Sequence, residues 1–200
     1  MAQAFRRKGT RIIAYLDQIE RETLSILLEQ TRQILEPPAA PPGSDDAFTQ
    51  MMEAMGMPDA EAPAPRVEPS AADRDPALGR LLPRAHRGDD EIAAEFRRLS
   101  ETSLRQRKVG NLQVAIDALA PGPSDRVDLD ARQAQAFVMA LTDVRLLFAE
   151  RIGLHTEQDV EDFEAAAGRA GDEDPIQQAY ALYDFLTWLQ ETLTQSLMGR

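Results

Sequence analysis

The chain has no cysteine and only two histidines, His86 and His155, among its 200 residues. Without thiols there is no disulfide, no thiolate nucleophile and no cysteine-held zinc or iron–sulfur centre. Two histidines far apart in the chain cannot by themselves build a histidine-rich metal site, and neither belongs to a His-Glu-x-x-His pattern; both read as structural or solvated. No apolar run approaches the roughly 18 residues that a membrane span needs. The opening stretch, Met1 to Gly9, carries charge but leads into no h-region, so no secretory leader is expected and the expected compartment is the cytoplasm. Also missing are the G-x-S-x-G, G-x-x-x-x-G-K and G-x-G-x-x-G patterns. The expectation is a protein that is not an enzyme, with no catalytic residue, no cofactor and no metal.

What the chain does have is acid and helix-forming residues. Asp and Glu number 34 against 22 Lys and Arg, a net charge of −12. Such a field repels phosphate backbones at long range unless a local basic face exists. Paired-carboxylate chemistry finds no support: Asp128 and Asp130 begin like a calcium loop, but Arg132 and Gln133 stand where its later ligand and glycine belong. The acidic runs at 89–91, 161–164 and 172–174 read as helix starts or solvated faces.

Composition divides the chain into residues 1–35, an insertion at 36–73 and the remainder at 74–200. The insertion holds eight of the thirteen prolines and eight acidic residues against one basic residue, Arg66. Its proline runs cannot continue a helix or join a central strand, so it reads as disordered. Within it, Phe48, Met51, Met52 and Met55 share one helical face, the mark of a short amphipathic helix.

The remainder reads as mostly α, a bundle of about six helices with at most a two-stranded sheet, residues 11–16 against 126–129. Asp17 with Glu20 and Asp130 with Gln133 have the chemistry of capping boxes, and Thr156 with Asp159 caps a third helix. Asp75-Pro76 and Asp174-Pro175 each place proline at a first helical position. One helix is expected from Asp89 or Asp90 to Leu99, and a separate one from Ser100. The last helix is apolar almost all round through Tyr180, Leu182, Tyr183, Phe185, Leu186, Trp188 and Leu189. That pattern marks a core helix, with Tyr183 and Trp188 as candidates for a homodimer or partner contact.

Charge is unevenly spread. Residues 1–35 and 74–120 each carry +2, residues 36–73 carry −7 and residues 121–200 carry −9. Two basic clusters stand out: Arg6, Arg7, Lys8 and Arg11, then Arg97, Arg98, Arg105, Arg107 and Lys108. Brought together they would form one positive face for a phosphate or an acidic protein. The competing reading is that these side chains are solvated and paired with acids such as Glu95 and Glu101.

In its order of pieces the chain resembles an actinobacterial family of oxidative-stress transcriptional regulators (AosR-like), formerly listed as a domain of unknown function. The matching stretches are Asp75-Pro-Ala-Leu-Gly-Arg-Leu-Leu-Pro83, Glu95-Phe-Arg-Arg-Leu-Ser100 with Leu104 and Lys108, and Val127-Asp-Leu-Asp130. Ala140-Leu-Thr-Asp-Val-Arg-Leu-Leu-Phe148, Arg151-Ile-Gly-Leu154 and the run Ala181 to Leu193 continue it. The resemblance implies a non-enzymatic regulator of transcription that contacts a sigma factor or RNA polymerase, or acts at promoters. It also implies proximity to genes of protein turnover and cysteine synthesis, so direct DNA binding and an adaptor role in protein turnover stand as alternatives. A thiol-pair sensor is impossible in a chain without cysteine; either this member senses nothing itself, or Met51, Met52 and Met55 take the oxidative role.

Overall fold

The computed structural model describes residues 2–36, 75–82, 91–121, 124–171 and 173–199; the side chains of 91–99 lie outside that description. Residues 37–74, which take in the insertion beyond its first residue and its methionine stripe, are likewise outside the described residues, as are His86 and the expected caps Asp89 and Asp90. The elements run β1 (Gln3–Lys8), β2 (Arg11–Tyr15), α1 (Gln18–Leu35), α2 (Pro76–Leu81), α3 (Glu91–Ala118), β3 (Arg126–Leu129), α4 (Ala131–Arg151), α5 (Glu157–Ala167) and α6 (Pro175–Leu197). The fold is mostly α, with six helices and one small sheet among the described residues.

The helix starts follow the cap chemistry. Asp17 accepts from the Glu20 amide at 3.0 Å while Glu20 accepts from the Asp17 amide at 2.8 Å. Asp130 and Gln133 make the same reciprocal pair at 2.8 and 3.0 Å, as do Thr156 and Asp159 at 3.2 and 2.7 Å. Each pair satisfies amides that the first helical turn leaves without an intrahelical partner. Asp130→Ala should therefore cost about 1 kcal/mol and lower the melting temperature by roughly 2–4 °C. An unchanged thermal melt would mean that packing alone holds the start of α4.

Two expectations are corrected. The sheet has three strands, ordered β1-β2-β3 and antiparallel throughout, not two at most. The expected pairing of 11–16 with 126–129 is present, Ile12 opposite Leu129 and Tyr15 opposite Arg126. β1 is the addition. It escapes a hydrophobicity reading because it offers a single buried side chain, Phe5, before three consecutive cations. Gly9, at φ +66°, makes the two-residue turn from Lys8 to Arg11 that folds β1 back on β2. The second correction concerns Ser100, which lies inside one continuous helix, α3, and starts no new one. Its hydroxyl has cap chemistry, but Leu104, Leu112, Ala115 and Ile116 all pack on the core and carry the helix past it.

The core lies between the inner sheet face and the helices. Phe5, Ile12, Ala14, Val127 and Leu129 come from the sheet, and Phe137, Leu141 and Val144 from α4. Leu24 and Leu28 of α1, Leu112 of α3 and Leu186, Leu189 and Leu193 of α6 complete it, which makes α6 a core helix on one side. No described helix is long and apolar enough to cross a membrane.

Candidate functional site

Strand register sorts the sheet's side chains onto two faces, because residues directly opposite one another point the same way. Ile12, Arg7 and Leu129 share the inner side. The outer side carries Arg6 and Lys8 from β1, Arg11, Ile13 and Tyr15 from β2, and Arg126 and Asp128 from β3. Four cations thus face out with a single carboxylate among them. Ile13 is 8% exposed yet stands apart from the core cluster, flanked across the strands by Arg6 and Asp128. Tyr15, opposite Arg126, is 44% exposed and gives the face one aromatic.

Asp128 orders this surface. Arg11 donates to it from Nε at 2.6 Å and to its backbone carbonyl from Nη2 at 3.0 Å, and Arg126 donates to its other carboxylate oxygen. The hydrogen bond from Arg11, then the charges of Arg11 and Arg126, hold the Asp128 carboxyl below its ordinary value. One ionised carboxylate therefore fixes two arginines and leaves the trio with one net positive charge. Arg21 anchors the edge of this arrangement. Its guanidinium reaches the carbonyls of Leu16, Ala120, Ser124 and Arg126, at 2.8–3.3 Å, so the end of α3 and the start of β3 are tied to the end of β2.

The two basic clusters singled out in the sequence separate in space. Arg6, Arg7 and Lys8 are exposed on β1, and Arg11 sits beside them on β2. Among the described residues α3 makes no contact with β1. On α3, Arg107 is exposed, whereas Arg105 donates to the Leu35 carbonyl at 2.7 Å and pairs with Glu101 at 3.1 Å. Lys108 is turned inward against Asp143, a carboxylate only 2% exposed. The side chains of Arg97 and Arg98 are outside the description. Arg126 and Tyr15, which lie outside both sequence clusters, complete the outer face instead; the alternation of β3 signals Arg126, and Tyr15 is placed by its register opposite it.

Tyr183 and Trp188 are half-buried. Arg145 lies over the Tyr183 ring at 5.4 Å, and Trp188 stacks on Phe185 with ring centroids 6.1 Å apart. His155 places Nδ1 2.9 Å from Arg80 Nη2 and 3.4 Å from Glu150. Among the described residues no group of three or more His, Asp or Glu side chains is placed to hold a metal ion.

No curated protein and no solved structure matches the chain. A family model does, over residues 2–197, and its span takes in every strand and helix described above. The chain belongs to the family described as a domain of unknown function, DUF2017.

Proposed function

We propose that this protein is a non-enzymatic regulator of transcription in the oxidative-stress response, acting by contact with an acidic surface of a sigma factor or RNA polymerase. The observation that carries the proposal is the outer sheet face, where Arg6, Lys8, Arg11 and Arg126 surround one carboxylate on a chain of net charge −12. Charge so placed steers an oppositely charged partner and fixes its orientation. The kind of partner and the stress context come from the AosR-like resemblance of the stretches between Asp75 and Leu193.

Direct DNA contact is the second reading. Tyr15 beside Arg126 favours it, since an exposed ring among cations is a surface on which a base can stack. The whole-chain charge opposes it.

The test is a crosslinking capture of partners from native extract with the parent protein, with Arg6→Glu/Lys8→Glu and with Arg107→Glu, alongside DNA binding at low salt. Capture of a sigma factor or polymerase subunit should fall about tenfold or more for the β1 double variant and stay near the parent level for Arg107→Glu. Loss confined to Arg107→Glu would move the contact to α3. Retention of DNA that weakens steeply with salt would replace the first reading with the second.

A further inference from the structure

α5 is held by one neighbour. Among the described residues it touches α6 and no other element, and Ala167 is its one buried side chain. Phe163 tilts against the Tyr180 ring with centroids 5.9 Å apart, and Tyr180 donates to Glu164 at 3.5 Å. Tyr180 lies in the first half of α6, whereas the buried residues of that helix, Leu186, Leu189, Leu193 and Ser196, all lie further along it. α5 and the start of α6 thus form a helical arm beside the core, where Val160 and Ile176 stay exposed.

The arm is acidic. α5 carries Glu157, Asp159, Glu161, Asp162 and Glu164 and no cation. Glu157, Glu161 and Glu164 follow one another at i, i+4 and i+7, so they share a face, and all three are exposed, as is Asp162. The outer sheet face is the opposite in sign, for Arg6, Lys8, Arg11 and Arg126 with Asp128 sum to +3. The dimensions agree as well. The 11 residues of α5 run about 17 Å, and the 5 residues of β2 at the centre of the sheet also run about 17 Å.

The arm cannot neutralise the face of its own chain. That face looks away from the helices, which pack against the other side of the sheet. β1 meets α6 at Ser196, sixteen residues beyond Tyr180 and so about 24 Å further along the helix.

We infer that the outer sheet face docks a second copy of this chain, whose α5 lies across it with Glu157, Glu161 and Asp162 against the cations. The contact is heterologous, the arm of one copy on the face of another. It covers the surface to which the proposed function assigns an acidic partner, so self-association and partner capture compete. The inference rests on that reading only in using the same face.

The test is sedimentation over a concentration series at about 0.01 M and about 1 M salt, where charges act over roughly 30 and 3 Å. The parent's mass should rise with concentration at low salt and return to that of a single chain at high salt. Arg6→Glu/Lys8→Glu on the face and Glu161→Lys/Asp162→Lys on the arm, all at exposed positions, should each weaken self-association about tenfold or more. The arm variant lowers the net charge from −12 to −8, each change adding +2, so general repulsion alone predicts the reverse. Mixing the two variants should restore association, as should all four changes in one chain, because opposite charges then meet again. A parent that stays single at low salt, or that associates equally at both salts, would overturn the inference. So would a mixture that stays dissociated while each variant melts like the parent. An arm variant that captures the acidic partner as the parent does, beside a parent that never self-associates, would leave the proposed function standing and remove this inference alone.

Discussion

Lys108→Met is expected to destabilise the protein by about 3–5 kcal/mol at neutral pH, a large share of the roughly 5–15 kcal/mol that holds a typical domain. Lys108 is paired with Asp143 between α3 and α4. The second oxygen of Asp143 is buried and has no hydrogen-bond partner among the described residues, so Lys108 supplies the compensation its charge receives. Burial raises the Asp143 carboxyl above its ordinary value, against the lowering effect of the Lys108 hydrogen bond and charge. The native state therefore holds that proton more readily than the unfolded chain. Ionised Asp143 weighs against folding as pH climbs through its native pKa, and that burden is absent below the unfolded value. Removing Lys108 takes away the hydrogen bond and charge that oppose burial, so the variant's deficit should be largest at pH 7 and shrink toward pH 4.5. Urea unfolding of parent and variant at both pH values reads this directly. The double change Lys108→Met/Asp143→Leu should recover most of the loss, since a buried pair is often replaceable by well-packed apolar side chains. A deficit below 1 kcal/mol, or one equal at both pH values, would show that the pair is not insulated from water.

That role for Lys108 was invisible in the chain. The sequence places it beside Arg105 and Arg107 as one more surface cation, and its partner lies 35 positions away on another helix. Helical phase alone separates the three: Arg107 faces out, Arg105 reaches the end of α1, and Lys108 faces α4. By contrast, the starts of α1, α4 and α5 were legible, because a capping box is written in residues three apart and needs no tertiary information. So was the pairing of β2 with β3, from the apolar run at Ile12–Leu16 and the alternation of β3.

The outer sheet face was legible in half. Arg6, Lys8 and Arg11 are close in sequence and form a visible cluster. Arg126 joins them only because the chain crosses from β2 through three helices and returns at β3, held there by Arg21 and by the Leu16 amide donating to Asp125 at 2.9 Å. β1 itself was hidden by its composition. An edge strand needs one anchoring side chain, and the rest of it is free to be charged; charged edges also resist aggregation.

That single anchor sets the other large effect. Phe5 is the one buried side chain of β1, and it meets Phe137 of α4 edge-on, ring centroids 5.9 Å apart at 64°. Phe137 is fully buried among the core residues of α4. Phe137→Ala should cost about 3–5 kcal/mol through lost burial and the cavity left behind, with the edge-on pair adding about 0.5–1.5 kcal/mol to that loss. Its signature should be local as well as global. Without its ring partner β1 retains, among the described residues, ladder hydrogen bonds to β2 alone, so its amides should exchange with solvent faster than those of β2 and β3. Leu112→Ala on α3 is the matched comparison: it is equally buried and of similar expected cost, but α3 does not touch β1 among the described residues. Hydrogen exchange on both variants separates the two effects. Selective loss of protection in β1 for Phe137→Ala alone would show that one aromatic contact keeps Arg6, Arg7 and Lys8 in register with the rest of the basic face. Equal loss in both would place the hold on β1 in its ladder to β2, and partner contact would then be insensitive to the core beneath it.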